Sequence, residues 1–192
     1  MKKVFLRLLT FVWLTFFITS ESEAAKLTSW DITSGLSNIE FVAIQDGSKI
    51  NGSFKNFSGE ILFDKTLLHE SKIRIEIDLN SISMSFKEAV DTLKSEDWFD
   101  TRIFPKVIFQ SKKISKISDD KFHVDGVLNM KGMESRVSFD FSFKEFSKNN
   151  AKAVGGFSLK RSGFGVGNAD EKKANGVRDD VMVKFAITAS AK

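Results

Sequence analysis

Residue types that commonly perform catalysis or bind metals are scarce in this chain of 192 residues. It contains no cysteine and two histidines, His69 and His123, which lie far apart in the sequence. Because a metal site needs several histidine, cysteine or carboxylate ligands close together, each histidine is better explained as a surface or strand residue. Carboxylate pairs such as Glu96 with Asp97 could act as acid and base across a cleft, but solvated turns explain them better. We therefore predict no catalytic residue, no metal, no cofactor and no enzymatic activity.

The apolar residues are more informative, because the chain has 20 phenylalanines and no tyrosine. The two side chains bury similar areas, but the tyrosine hydroxyl needs a hydrogen-bond partner inside a protein. A core packed with phenylalanine explains this composition. A cavity that binds an apolar molecule, with a wall that has no hydroxyl in need of a hydrogen-bond partner, explains the composition equally well. The chemistry that the composition allows is therefore reversible binding of an apolar molecule.

The first residues have the composition of a secretory signal peptide. Basic residues precede an apolar run over residues 8–18, and Ser22-Glu23-Ala24 follows as a cleavage site with small residues at its first and third positions. The run is shorter than the roughly 20 residues that span a bilayer. We predict that residues 1–24 are a cleaved signal peptide and that residues 25–192 form one periplasmic domain without stable membrane insertion. The net charge of +4 is too small to predict binding to nucleic acid.

Apolar and polar residues alternate along most of the remaining chain. Over residues 73–79, 137–143 and 181–187 every second residue is apolar, which places apolar side chains on one face of a strand. One solvent-exposed face and one buried face on each strand are typical of an antiparallel sheet. Asp46-Gly47 lies between two further runs and predicts a tight hairpin turn with positive φ at both residues. About eight such strands favour a closed barrel over a sandwich, because closure leaves no exposed edge.

One segment departs from the strand pattern. Residues 85–95 show the spacing of a short helix, with Ser85 as its N-terminal cap. The stretch EDWFDTRIFPKVIF that follows, over residues 96–109, reads as a loop although it carries several large aromatic side chains. If the helix and this loop cover the mouth of a barrel, their aromatic side chains face inward and Pro105 fixes the return into the next strand.

Several ordered segments resemble the YceI-like lipid or polyisoprenoid-binding proteins over nearly all of the chain after the signal peptide. They are WDI at residues 30–32, GSFKNFSGEILFD at 52–64, LKSEDWFDTRIFPKVIFQS at 93–111 and FSLKRSGFGVG at 157–167. The resemblance implies a lipocalin-like antiparallel barrel of about eight strands, with a long apolar ligand inside it. Many members have a Lys-His pair where this chain has Ala43-Ile44-Gln45, so roles assigned to that pair are not carried over.

The barrel and the resemblance together predict which side chains line a cavity. An eight-stranded barrel can hold one small ligand or be filled by its own side chains. For the apolar wall we predict Phe41, Phe54, Phe63, Ile75, Phe86, Leu93, Trp98, Phe99, Phe104, Phe109 and Phe141. Arg161 is the candidate to orient a polar head group, with a salt bridge or a position on the rim as the alternative.

The resemblance therefore implies a protein that binds and sequesters or carries a polyisoprenoid, an isoprenoid quinone or a fatty-acid-like lipid. Two such barrels could pair as a homodimer. The alternative is a fully packed barrel that acts in a stress response or in protein interaction without a ligand. An enzyme acting on a lipid is a further alternative, and the scarcity of histidine and cysteine counts against it.

Overall fold

The computed structural model describes residues 27–167, 170 and 172–192, so the predicted signal peptide lies outside the described residues. The described part contains eleven strands and one α-helix. The strands are β1 (Ser29–Ile32), β2 (Asn38–Gln45), β3 (Ser48–Phe54), β4 (Phe57–Leu62), β5 (Lys72–Asp78), β6 (Ile82–Met84), β7 (Lys106–Lys116), β8 (Lys121–Met130), β9 (Met133–Phe146), β10 (Asn150–Lys160) and β11 (Asp180–Ala191). The helix α1 (Lys87–Lys94) lies between β6 and β7.

Eight of these strands form a closed antiparallel ring in the order β1-β4-β5-β7-β8-β9-β10-β11. The ring closes where Trp30 of β1 pairs with Ala191 of β11. Strands β2, β3 and β6 extend the sheet beyond the ring, because the first half of β11 pairs with β2 instead of β1, and residues of all three strands line the interior at one end of the barrel. The predicted barrel of about eight strands is confirmed.

The alternating pattern of the sequence accounts for the wall of the barrel. Along β8, Phe122, Val124, Gly126 and Leu128 are buried, while the residues that alternate with them are partly exposed to solvent. The hairpin between β2 and β3 turns at Asp46 and Gly47, which have φ of 48° and 80°. Both values are positive, as a tight turn matched to the twist of the strands requires.

One end of the barrel is covered by residues 85–105, which we call the lid and which include α1. Phe86 has extended backbone angles, so the helix begins at Lys87, and no side chain caps its first turn. The predicted cap at Ser85 is therefore wrong, because it lies one residue too early. The prediction that a short helix and a loop cover one end of the barrel is confirmed.

Hydrogen bonds hold the lid against the rim of the barrel. The amide of Gly167 donates to the carbonyl of Asp97 at 2.8 Å. Lys131, in the turn between β8 and β9, donates through Nζ to the carbonyl of Glu96 at 2.7 Å. At the other end of the lid, the amide of Leu79 donates to the carbonyl of Pro105 at 2.9 Å. These bonds fix the backbone of the segment that carries the aromatic side chains.

Aromatic side chains close the opposite end. Phe63 follows β4 and is 3% exposed, and its carbonyl accepts a hydrogen bond from Nε1 of Trp30 at 3.1 Å. Its ring packs against those of Phe122 and Phe143 with centroids 5.4 and 5.3 Å apart. The Nζ of Lys65 lies 4.6 Å from the ring centroid of Phe146 on the outer side of this cluster. The aromatic cluster therefore forms the floor of the barrel, and the lid forms its cover.

Candidate functional site

Between the floor and the lid lie two chambers, which follow one another along the barrel axis. The closed-end chamber has a volume of about 150 Å³ and the mouth chamber one of about 190 Å³. Along β8, Leu128 lines the first and Met130 the second, and along β10 Phe157 and Leu159 are divided in the same way. Val183 lines both chambers, so the two adjoin at its level.

The closed-end chamber is apolar on all sides. Every described side chain that lines it is aliphatic or aromatic, and the indole N–H of Trp30 is already bonded to the carbonyl of Phe63. Four of the predicted wall residues line this chamber, namely Phe63, Ile75, Phe109 and Phe141. Such a wall offers no hydrogen bond to a guest, so it suits a hydrocarbon chain and not a polar group.

The mouth chamber combines apolar walls with a few polar groups. Six of the predicted residues line it, namely Phe41, Phe54, Leu93, Trp98, Phe99 and Arg161. Gln45, Thr92 and Asn175 also face this chamber. A molecule whose tail occupies the closed-end chamber would therefore meet polar side chains only near the lid.

The lid supplies aromatic wall to the mouth chamber. Trp98 is 7% exposed, and Phe99 packs against the hydrophobic core. The turn after α1 directs both side chains into the barrel, because the amide of Phe99 bonds back to the carbonyl of Leu93 at 3.0 Å. The aromatic residues of a segment that reads as a loop are thus part of the cavity wall.

Two predicted wall residues lie elsewhere. Phe86 is 69% exposed at the start of α1, so its expected inward position is wrong. Its backbone precedes the helix, and its side chain therefore does not share the inward side with Leu93. Phe104 is partly buried and packs near Gly132 of the turn between β8 and β9, without lining either chamber.

Arg161 is buried, at 2% exposure, so it is not a rim residue. Its guanidinium donates to the backbone carbonyls of Arg178 at 3.1 Å, Val166 at 3.0 Å and Val177 at 2.7 Å. It also lies over the ring of Trp98, with 5.4 Å from Cζ to the ring centroid. Arg161 therefore connects the segment after β10 to the lid, and it places a cation in the wall of the mouth chamber.

Several phenylalanine rings lie close to glycines of a neighbouring strand. A β-carbon added at Gly52 would overlap the ring of Phe41, and one added at Gly126 would overlap that of Phe109. The same holds for Gly155, where the β-carbon would lie 2.5 Å from Cζ of Phe185. Each glycine lets a ring rest against the wall, so the ring lines the lumen without crossing it.

The sequence-based selection missed a group of closed-end wall residues, Trp30, Phe139, Phe143, Phe146, Phe157 and Phe185. The alternation that identified Phe141 also includes Phe139 and Phe143 in the same strand. A selection by strand face would therefore have found these two. Trp30 and Phe146 line the chamber near the floor, which alternation alone does not locate.

The polar clusters of the surface lie away from the chambers. On the outer face of β8 and β9, Nδ1 of His123 is 2.8 Å from Oδ1 of Asp140. This hydrogen bond, together with a contact to Asp125, raises the pKa of His123 above its ordinary value. Within the described residues, no three histidine or carboxylate side chains are grouped closely enough to hold a metal ion. The same residues include no helix with the length and hydropathy needed to cross a membrane.

Comparison with known families gives a match over nearly all of the barrel. The YceI-like domain matches residues 30–189. The chain belongs to the YceI-like family. Its curated relatives include a UPF0312 protein of Vibrio parahaemolyticus, 27% identical over 96 residues, which are 50% of this chain and 51% of that protein. A UPF0312 protein of Staphylococcus epidermidis is 29% identical over 148 residues, 74% of this chain and 84% of that protein. This YceI-like chain thus spans about half the length of the Vibrio relative.

Solved structures have the same fold. BcnA of Burkholderia cenocepacia is 28% identical, with a TM-score of 0.76 over 82% of this chain and 99% of that one. A polyisoprenoid binding domain from Saccharophagus degradans is 14% identical, with a TM-score of 0.71 over 86% of this chain and 99% of that one. At this identity the second likeness supports the YceI-like fold alone.

Proposed function

We propose that this YceI-like protein binds and carries one long-chain apolar molecule inside the barrel in the periplasm. The ligand class is an isoprenoid, an isoprenoid quinone or a fatty-acid-like lipid. The observation that carries the proposal is the pair of adjoining chambers, of about 150 and 190 Å³, beneath the lid. A fully packed barrel, which is the alternative to a ligand carrier, would be filled by its own side chains and would not contain two such chambers.

The division of polar and apolar walls supports one orientation of the ligand. The closed-end chamber takes the apolar tail, because its wall is aliphatic and aromatic. A polar end remains in the mouth chamber, where Gln45, Asn175 and Arg161 contribute to the wall. The resemblance to the YceI-like family supports this ligand class, and the solved domain from Saccharophagus degradans, described as polyisoprenoid binding, has the same fold.

Burial of the tail supplies the driving force. Each buried methylene contributes about 0.8 kcal/mol, less the cost of ordering the chain and the side chains around it. Reversible binding of this kind needs exclusion of water and not a catalytic group. The predicted signal peptide supports a periplasmic site of action, and the scarcity of titratable groups at the chambers supports carriage over turnover.

A pair of tryptophan substitutions on β10 tests the proposal. Ala153 lines the closed-end chamber, whereas Ser158 of the same strand is exposed on the outer face. We expect Ala153→Trp to fill the chamber and to abolish binding of parinaric acid, a fluorescent fatty acid. Ser158→Trp should leave binding at the level of the native protein.

Thermal unfolding of both variants is measured alongside, because overpacking costs about 1–3 kcal/mol. Retained binding by a folded Ala153→Trp protein would contradict the proposed site. The absence of binding by the native protein, to parinaric acid and to isoprenoid alcohols alike, would contradict the proposed function.

A further inference from the structure

We propose that Phe41, resting on Gly52, controls the passage between the two chambers and so sets the length of apolar chain that the barrel accepts. This inference rests on the proposed function, because it concerns the selectivity of the same binding site. It assigns a specificity-determining role to a glycine and a phenylalanine that face each other across two strands.

Phe41 stands at the level where the chambers meet. On β2, Ile39 lines the closed-end chamber and Phe41 lines the mouth chamber. Phe41 pairs directly with Val183 of β11, the residue that lines both chambers. A chain that extends from the mouth to the floor must therefore pass beside the ring of Phe41.

The ring is held off the passage by the absence of a side chain at Gly52. Phe41 and Gly52 are direct partners across β2 and β3. A β-carbon at Gly52 would overlap the ring, and its three nearest atoms all belong to that ring. The ring also packs against Phe54, with centroids 5.6 Å apart. The ring thus occupies the site of the missing side chain and lies along the wall.

Gly52 is the most suitable of the ring-covered glycines for a test. A β-carbon at Gly126 or Gly155 would also approach a backbone carbonyl, at 2.7 Å in each case. At Gly52 the three nearest atoms all belong to the side chain of Phe41, which can move because aromatic side chains rotate about two χ angles. We therefore expect Gly52→Ala to displace the ring of Phe41 into the mouth chamber, which that side chain already lines.

The displaced ring should shorten the longest chain that fits. In the native protein we expect the dissociation constant to fall about fourfold for each added methylene until both chambers are filled. In Gly52→Ala the gain in affinity should stop at a shorter chain, because the tail of the fatty acid cannot pass the displaced ring of Phe41. In Gly52→Ala combined with Phe41→Ala, the limit should return to the native length or exceed it.

The probe is a mixture of saturated fatty acids from octanoic to eicosanoic acid, offered in equal amounts and read by native mass spectrometry. Gly35→Ala is the matched control, because a β-carbon there meets no atom within 4 Å. We expect the control to select the same acids as the native protein. Phe41→Ala alone is measured as well, so that the test stands even if Gly52→Ala fails to fold.

The possible outcomes distinguish a failure of this inference from a failure of the proposed function. A shorter limit in Gly52→Ala, reversed by Phe41→Ala, supports the inference. The same length profile in the native protein, Phe41→Ala and folded Gly52→Ala would overturn the inference and leave the proposed function intact. If the native protein binds none of the fatty acids, this inference is overturned. If the native protein binds no isoprenoid either, the proposed function is overturned as well.

Discussion

Replacing Arg161 with methionine should destabilise the protein strongly, because the side chain is buried and connects separate segments. Its guanidinium donates to the carbonyls of Arg178, Val166 and Val177 at 2.7–3.1 Å. A buried carbonyl left without its donor costs about 1–3 kcal/mol, and the contact with Trp98 adds about 0.5–2 kcal/mol. Since methionine fills part of the volume and water can reach part of the segment, we expect a loss of about 3–5 kcal/mol in the free energy of unfolding.

The assay is urea unfolding followed by tryptophan fluorescence, since Trp98 lies beside the substituted side chain. Arg161→Lys keeps the charge but provides a point donor in place of the planar guanidinium. We therefore expect it to lower the free energy of unfolding by about half as much as Arg161→Met. Lys160→Met, next in the sequence and exposed, should change stability by less than about 0.5 kcal/mol. A loss in Arg161→Met no larger than that of Lys160→Met would refute the account of Arg161 as a buried connector.

Three further predictions concern packing and charge. Phe122→Ala should cost about 3–5 kcal/mol in denaturant unfolding, because Phe122 is 0% exposed; a cost near that of a surface substitution would contradict the packed floor. Phe86→Ser should alter neither the midpoint of thermal unfolding nor parinaric acid binding, because Phe86 is 69% exposed; weakened binding would place it at the site after all. His123 is bonded to Asp140, which raises its pKa, so its contribution to stability is fully present below the unfolded pKa of about 6.5 and is lost as the pH rises through the higher folded pKa. Asp140→Asn should reduce that pH dependence, which nuclear magnetic resonance titration of the His123 ring can follow, and an unchanged ring pKa would contradict the assignment.

The sequence predicts the fold well, because alternation is a direct consequence of strand geometry. The runs over residues 73–79 and 181–187 become the strands β5 and β11, apart from residues at their ends. Closure of the ring depends on pairing between β1 and β11, which lie at opposite ends of the described chain. No local pattern encodes that pairing; the number of alternating strands and the family resemblance both favoured a closed barrel, but neither identified the two strands that close it.

The candidate site is predictable in part. Alternation assigns a side chain to a face but not to a depth along the barrel, so the sequence did not reveal that Phe141 and Phe41 line different chambers. In the lid no strand period applies, and backbone turns decide that Trp98 faces inward and Phe86 outward. The burial of Arg161 depends on carbonyls that follow it in the chain by 5–17 residues, and such contacts require the folded loop.

The signal peptide, the periplasmic location, the homodimer and the identity of the ligand stay predictions. The signal peptide can be tested by sequencing the N-terminus of the exported protein, where Ala25 is the expected first residue. The homodimer can be tested by sedimentation of the purified protein across a range of concentrations.

The central claim is that the barrel holds an apolar chain, and native mass spectrometry tests it most directly. The protein is purified from its natural host, measured intact, and then extracted with organic solvent to identify any released molecule. The account predicts an adduct of one long-chain lipid for each polypeptide. A bare polypeptide that also takes up none of a series of added isoprenoids of graded length would contradict it.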